Sequence, residues 1–272
     1  MECQLGDLTV CYEAFGEGKP MLMLHGWALD RRHMVAEMEP IFQGRSGWRR
    51  IYPDLPGCGR TPARPWIHGQ DQILQVVLGL IEQVFPRQRF AVAGFSAGAY
   101  LARGVAYHKA GWLDGLLLTA PVTVPADAQR TRPAAAVLVQ DEALLAGLEP
   151  ADCQMLQRAV VQSRDLLQAL KEHYAPAEHA ADVAFLAPIR QDPARYGFSF
   201  DLDAQPEPFP APTLILTGRQ DSAVGYRDAW KLVENYPRAT VVVLDRAGHL
   251  LAIDQQRLFR ALVSEWLDRV EE

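Results

Sequence analysis

A short apolar run that turns abruptly into a helix constrains this chain more than any other stretch. Residues 91–99 read Ala-Val-Ala-Gly-Phe-Ser-Ala-Gly-Ala, and more residues suited to a helix follow. A sharp strand-to-helix turn strains its corner residue and leaves no room for side chains two positions to either side, which favours glycine at Gly94 and Gly98. Such a turn exposes the Ser96 hydroxyl beside helix N–H groups that suit a developing oxyanion. Ser96 is the candidate nucleophile, although the pattern alone also fits a plain turn of small residues.

Strand and helix patterns alternate through the first 120 residues. A hairpin is predicted over 2–15, and buried apolar runs and amphipathic helices follow it. Strands are predicted at 21–24, 48–52, 89–93 and 113–120, and helices at 30–43, 70–85 and 97–109. This order predicts an α/β fold, with a mostly parallel sheet flanked by helices. Ligands of such sheets bind beyond the carboxyl ends of the strands, where His25, Asp54 and Ser96 fall.

The alternation stops in the segment 123–205. Helical stretches are predicted there at 137–148, 150–174 and 178–186. The segment holds 12 acidic and 7 basic residues, so it carries five of the six excess negative charges of the chain. We expect 123–205 to form an inserted helical cap over a core built from 1–122 and 206–272. An acidic cap favours a neutral substrate over an anionic one.

The alternation resumes towards the C-terminus, and two candidate catalytic residues lie there. The predicted elements are strands at 212–218 and 240–244 and helices at 225–235 and 255–270. A serine nucleophile needs a base, and the base needs an orienting carboxylate. His249 follows the last strand beside Gly248, which frees the backbone to present the imidazole, so His249 is the candidate base.

The other six histidines fit this role less well. His25 lies on the rim, but its neighbouring glycine suggests that it shapes the loop, and His68 lies in a Pro-rich loop. The remaining four fall within helical stretches or at their ends, where a surface position is expected: His33, His108, His173 and His179.

The candidate carboxylate is Asp221, which follows the penultimate strand. Asp245 and Asp254 are alternatives near His249, but both read more naturally as surface residues. Asp114 precedes its strand and therefore lies at the wrong end of the sheet.

The chain order Ser96, Asp221, His249 resembles that of the α/β-hydrolase superfamily. Two further motifs carry the resemblance: His-Gly-Trp at 25–27 and Asp-Leu-Pro-Gly-Cys-Gly-Arg-Thr at 54–61. The resemblance covers nearly the whole chain, and it implies the α/β-hydrolase fold with an inserted helical cap.

The same resemblance implies where an oxyanion would bind. In that superfamily, two backbone N–H groups form the oxyanion hole, and the matching donors here are those of Trp27 and Ala97. Backbone donors suit this task because they are fixed before the charge develops. His25 and Gly26 would support the loop that carries Trp27.

Within the superfamily, the residues favour a carboxylesterase-like enzyme that works through an acyl-enzyme. Dehalogenases and epoxide hydrolases use an aspartate nucleophile, which Ser96 does not match. The Gly-Gly-Ser-Trp-Gly elbow of proline iminopeptidases is absent, and C–C bond hydrolases usually carry Met where this chain has Ala97. An aminopeptidase and a C–C bond hydrolase stay open as alternatives, as does a non-catalytic binder or receptor for a small molecule.

Composition restricts the partners and the compartment. The net charge is −6 and no basic run occurs, so we expect no nucleic-acid partner. No apolar run approaches the roughly 20 residues that span a membrane, and the start Met-Glu-Cys-Gln lacks the pattern of a signal peptide, so the cytoplasm is expected. The four cysteines lack zinc-site spacing, and no metal or cofactor is expected. The expected partner is a small-molecule substrate, and a homo-oligomer stays open.

Overall fold

Eight β-strands form one sheet in the computed structural model of the chain, which describes residues 1–157, 159–204 and 207–272. The strands are β1 (Glu2–Leu5), β2 (Leu8–Phe15), β3 (Lys19–Leu24), β4 (Trp48–Pro53), β5 (Phe90–Phe95), β6 (Leu113–Thr119), β7 (Thr213–Gly218) and β8 (Ala239–Leu244). Their order across the sheet is β1-β2-β4-β3-β5-β6-β7-β8. Strands β1 and β2 form the edge hairpin, β2 pairs antiparallel with β4, and all other pairs are parallel.

Long helices cover both faces of the sheet, as the alternating side chains of its strands require. They are α1 (Arg31–Phe42), α2 (Gln70–Val84), α3 (Ala97–Lys109) and α12 (Gln256–Glu271). Met21 and Met23 of β3 pack into the core with α1 and α12, whereas Leu22 and Leu24 pack into the core with α2 and α3. A strand that is buried on both faces reads as a continuous apolar run, as β3 does. The predicted fold class is confirmed.

Short helices joined by loops lie between β6 and β7. They are α4 (Glu142–Ala146), α5 (Pro150–Leu156), α6 (Arg164–Ala169), a π-helical stretch (Leu170–Tyr174), α7 (Ala175–His179), α8 (Val183–Gln191) and α9 (Pro193–Tyr196). The predicted helix at 137–148 begins only at Glu142, because Val139 forms a β-bridge with Val161 and the Asp141 carboxylate caps α4. The predicted boundary of the cap at 205/206 lies outside the described residues.

The C-terminal part adds two short helices to the sheet, α10 (Arg227–Trp230) and α11 (Leu251–Asp254). The helix predicted at 225–235 is α-helical only in α10 and continues as a 3₁₀ helix over Lys231–Asn235. Within the described ranges, the chain has no helix with the length and apolar character to cross a bilayer.

Candidate active site

The turn from β5 into α3 places Ser96 in a strained backbone conformation. Ser96 has φ +55° and ψ −113°, in the region that L-residues rarely adopt. A Cβ on Gly94 would lie 2.3 Å from the Gly98 carbonyl oxygen, and a Cβ on Gly98 would lie 2.2 Å from that of Leu24. The Ser96 N–H donates to the Thr119 carbonyl at 2.9 Å, which fixes the corner to β6. The two glycines are therefore required by the close approach of backbone to backbone.

Ser96, His249 and Asp221 form a continuous hydrogen-bonded chain. The Ser96 Oγ lies 3.0 Å from His249 Nε2, and His249 Nδ1 lies 2.9 Å from Asp221 Oδ2. Because the Asp221 carboxylate can only accept, Nδ1 carries the proton and Nε2 is left to accept from the serine hydroxyl. The structure thus brings together the three predicted side chains, each at the carboxyl end of a strand, in the geometry of a nucleophile, a base and an orienting group.

Asp221 is held as a buried anion. Its side chain is 0% exposed, and its second oxygen accepts the backbone N–H groups of Ala223 at 2.8 Å and Val224 at 2.9 Å. Burial raises the pKa of Asp221, but the interaction with His249 and the two N–H donors outweigh it, so the pKa lies below its usual value. A carboxylate fixed at both oxygens sets the orientation and the tautomer of the imidazole.

The segments that carry Trp27 and Ala97 both lie beside Ser96. Ala97 is the first residue of α3, where a helix leaves its N–H groups without intrahelical acceptors. Trp27 follows β3, and its indole packs edge-on against Tyr196 with ring centroids 5.0 Å apart. A Cβ on Gly26 would lie 2.7 Å from the Phe95 ring, so glycine allows this loop to approach the elbow. The oxyanion role of the two N–H groups stays a prediction.

His25 holds the rim loops together. Its Nδ1 lies 2.8 Å from the Gly26 carbonyl oxygen, and its Nε2 accepts the Leu55 N–H at 2.9 Å. Burial lowers the pKa of His25, which keeps the imidazole neutral and leaves a lone pair for Leu55. Asp54 in the next loop is also buried, and it accepts the N–H groups of Arg31 at 3.0 Å and Arg60 at 2.8 Å. Both residues organise the rim instead of reacting.

We expect His25→Ala to destabilise the fold. The change leaves the Leu55 N–H without its acceptor in a buried place and opens a cavity, which together cost about 2–4 kcal/mol. Urea denaturation should show this loss, while His68→Ala, in an exposed loop, should change the free energy of unfolding by less than about 0.5 kcal/mol. Equal stability of the two variants would contradict the role given to His25.

Two residues that were expected at the surface are buried or partly buried. His33 is 0% exposed, and its ring lies between those of Phe95 and Tyr174, with centroids 4.6 and 4.9 Å away. The surface prediction for His33 is wrong because this face of α1 packs on the core that carries the elbow. The surface prediction for Asp254 is wrong as well, because its carboxylate accepts the Gly248 N–H at 2.8 Å and lies among residues of the His249 loop.

The pKa of the Asp254 carboxyl is raised well above its usual value. Burial raises its pKa to about 6, the Gly248 N–H opposes this change, and the nearby Asp221 charge adds to it. A folded-state pKa above the unfolded value means that folding favours the protonated carboxyl. The stabilising contribution is therefore complete below about pH 4 and is lost as the pH rises through about 6.

We expect Asp254→Asn to stabilise the protein at pH 8 and to change little at pH 4. An amide oxygen still accepts from Gly248, and the cost of a buried charge disappears, so the gain is about 2 kcal/mol at the higher pH. Thermal unfolding across this pH range tests the expectation, with the exposed Asp245→Asn as control. A gain that does not depend on pH would contradict it.

Two cavities meet at His249. The first, here called the arginine cavity, has about 360 Å³ and is lined by Ser96, Trp27 and Phe95 of the core and by charged and aromatic residues of the segment 123–205. These residues are Asp127, Arg130, Arg132, Tyr174, Glu178, Arg190 and Tyr196.

The second cavity, here called the apolar cavity, has about 500 Å³. Most of its wall is apolar, and it lies on the side of His249 and Asp254. The apolar side chains are Ala135, Ala136, Met155, Ala159, Val160, Leu166, Leu170, Ala223 and Leu250. Sequence reasoning placed Trp27, Ser96 and His249 at the site, but none of the wall residues that the segment 123–205 contributes, since their positions depend on how that segment packs. Among the described residues, no cluster of three or more His, Cys, Asp or Glu could hold a metal ion.

Comparisons with known proteins agree with this architecture. The sequence pattern of the "Alpha/beta hydrolase family" matches residues 21–262. A pimeloyl-[acyl-carrier protein] methyl ester esterase of Aeromonas salmonicida is 28% identical over 269 residues, 94% of this chain and 98% of that protein. The enzyme of the same name from Legionella pneumophila is 23% identical and covers 96% of this chain and 100% of its own length. The crystal structure of an alpha/beta superfamily hydrolase from Oenococcus oeni superposes with a TM-score of 0.87 at 25% identity, and 100% of both chains is covered.

Proposed function

Since this chain belongs to the alpha/beta hydrolase family and is an enzyme of that family, we propose that it is a serine esterase that works through an acyl-enzyme. The observation that carries the proposal is the chain Ser96–His249–Asp221, with contacts of 3.0 and 2.9 Å, at the wall of a cavity large enough for a small substrate. The ester-cleaving relatives named above support the choice of ester over other acyl compounds.

In the proposed reaction, His249 Nε2 takes the Ser96 proton as Oγ attacks the ester carbon. The imidazolium is stabilised by Asp221 and then protonates the leaving alcohol, which departs from the tetrahedral intermediate. In the second half, water deprotonated by His249 attacks the acyl carbon; the bond from that carbon to Ser96 Oγ then breaks, His249 returns the proton to Oγ, and the carboxylic acid leaves. The Trp27 and Ala97 N–H groups would hold the oxyanion in both halves.

Steady-state assays on matched substrates test this function. The purified protein should cleave p-nitrophenyl acetate and butanoate, and the activity should be absent from Ser96→Ala. A panel of aminoacyl-p-nitroanilides and of vinylogous 1,5-diketones represents the aminopeptidase and the C–C bond hydrolase. Preference for either of these over the esters would replace the esterase proposal. Binding of an ester without turnover by the wild type would identify a non-catalytic binder.

The sequence predicts a neutral substrate, and the cavity beside Ser96 changes this prediction. The acid excess of 123–205 favours a neutral substrate, but the side chains at the wall of the Ser96 cavity include three arginines. We therefore still propose a small substrate, but no longer a neutral one. The cytoplasm and the absence of a nucleic-acid or membrane partner stay predictions from the sequence, and the oligomeric state stays open.

We also propose that 123–205 is a cap whose movement admits substrate. The segment is one contiguous stretch between β6 and β7, and hydrogen bonds such as that from the Asp182 N–H to the Gly57 carbonyl at 2.8 Å join it to the core rim. Its stretch 131–138 is largely exposed and without helix or strand. Limited digestion with proteinase K should therefore cut first inside the cap, and mass spectrometry locates the cut. A first cut within 1–122, with the cap intact, would contradict this proposal.

A further inference from the structure

Three arginines of the cap meet at one carboxylate in the arginine cavity. The Asp127 carboxylate lies 3.0 Å from Arg130 Nη1, 3.1 Å from Arg132 Nη1 and 3.0 Å from Arg190 Nη2. Burial raises the pKa of Asp127, but the Arg190 hydrogen bond and the three positive charges outweigh it and hold the pKa below its usual value. One carboxylate compensates one guanidinium, so this cluster carries two uncompensated positive charges at the wall that Ser96 also lines.

The three arginines are not equivalent. Arg130 is the buried anchor: its side chain is 3% exposed and also donates to the carbonyl groups of Val124, Pro125 and Ala223. Its N–H groups are therefore occupied.

Arg132 and Arg190 are different, because their side chains are 33% and 32% exposed. Each has five N–H groups; within the described part of the chain, Arg190 donates to Asp127, and Arg132 forms an ion pair with the same carboxylate. Arg190 stacks on Tyr196, with its guanidinium 4.6 Å from the ring centroid, which limits its movement. Among the described residues, no acceptor other than Asp127 engages Arg132 or Arg190, so most of their N–H groups are open to a ligand.

The negative groups near the cavity do not neutralise the cluster. Asp221 is fully buried and is not among the residues that line this cavity, and the wall residue Glu178 is exposed to water, where its charge is screened. A guanidinium pair of this kind suits a carboxylate, which it can bind through two parallel hydrogen bonds.

The position of the cluster relative to the reacting atoms decides which part of the ester carries the anion. The acyl carbon bonds to Ser96, and its oxygen faces Trp27 and Ala97, so the acyl part occupies the cavity that Ser96 and Trp27 line. The leaving alcohol must reach His249, which also lines the apolar cavity, whereas Ser96 does not. The alcohol part therefore occupies the apolar cavity.

We propose that the substrates are hemiesters of dicarboxylic acids: Arg132 and Arg190 bind the free carboxylate of the acyl part, and an apolar alcohol fills the apolar cavity. This inference rests on the proposed esterase function. It identifies these two arginines as specificity-determining residues. It also explains why both contact Asp127 at the wall of the cavity that Ser96 lines.

The test compares monobutyl glutarate with its neutral counterpart, the butyl ester of glutaramic acid, by following acid release at constant pH. The wild type should have a kcat/KM at least ten times higher for the hemiester. Arg132→Gln/Arg190→Gln should lower kcat/KM for the hemiester about 100-fold and leave the neutral ester within about twofold, since each lost charged contact is worth about a factor of ten. Arg190→Lys, which keeps the charge, should retain part of the preference. Arg164→Gln, an exposed arginine elsewhere in the cap, is the matched control and should behave as wild type.

Each alternative result has a distinct meaning. Equal kcat/KM for the two esters in the wild type, or an equal loss on both in the double variant, overturns the inference while the esterase function stands. Arginine-dependent preference for 4-butanoyloxybutanoate, which carries its carboxylate in the alcohol part, overturns the assignment of the anion to the acyl side. Failure of the wild type on all esters, the p-nitrophenyl esters included, would instead reject the esterase proposal itself.

Discussion

Ser96→Ala should abolish both ester hydrolysis and covalent labelling by a fluorophosphonate. In the wild type, the Ser96 oxygen attacks phosphorus as His249 takes the proton, and fluoride leaves, so one phosphonyl group remains on each chain. Without the hydroxyl, kcat should fall by at least about 10⁴-fold, because the remaining oxyanion contacts and binding supply only part of the acceleration. Intact mass and peptide mapping of the labelled protein locate the adduct.

A matched control separates this effect from a general loss of structure. Ser46→Ala changes an exposed serine in the loop before β4 and should retain full labelling and turnover. Ser96→Ala should melt as the wild type does, because alanine occupies the same positive-φ corner with the same backbone hydrogen bonds. Stoichiometric labelling of Ser96→Ala would show that another residue is the nucleophile.

Asp221→Asn should have the second largest effect. An asparagine oxygen can still accept from Ala223 and Val224, so the loop keeps its shape. Its amide then donates to His249 Nδ1, which places the imidazole proton on Nε2 and removes the acceptor that Ser96 needs. The corresponding change in one serine protease lowers kcat about 10⁴-fold, and we expect a loss of about that size with KM little changed.

Asp245→Asn is the control for this prediction, since Asp245 is exposed and accepts from Gln220 and, through its backbone, from Gln255. It should keep wild-type turnover. If Asp245→Asn lost activity while Asp221→Asn kept it, the orienting carboxylate would have to be reassigned. If both variants stayed active, the orienting group would be neither Asp221 nor Asp245, and Asp254→Asn would test the remaining aspartate near His249.

The elbow and the placement of the three candidate catalytic side chains could be predicted because local sterics and topology determine them. Gly94 and Gly98 lie where two backbone segments approach so closely that any side chain would clash. In a parallel sheet, residues that follow the strands meet at one edge, whatever their separation in sequence. The strand pattern therefore already predicts that Ser96, Asp221 and His249 lie close together.

The walls of the site could not be predicted in the same way. Arg130 and Arg190 lie 60 positions apart in a segment of short helices, and they meet at Asp127 only because of how those helices pack. The charge count of the segment 123–205 is negative, whereas the side chains that it places at the arginine cavity include three arginines. His33 shows the same limit, because a polar residue on an amphipathic helix reads as exposed until its neighbours Phe95 and Tyr174 are known.

The placement of Ser96 at the corner between β5 and α3 has an evolutionary consequence. Its backbone is anchored to the sheet through Thr119, and its partners His249 and Asp221 also follow core strands, whereas the arginines belong to one contiguous stretch between β6 and β7. The proposed catalytic residues and the proposed specificity-determining arginines thus lie in separate parts of the chain, and the second part can be exchanged as a block. Grafting another relative's stretch between Thr119 and Thr213 would change what the protein selects while the same hydroxyl and imidazole go on reacting. Proteins that descend from such a chain can change their substrates while they keep the same catalytic residues.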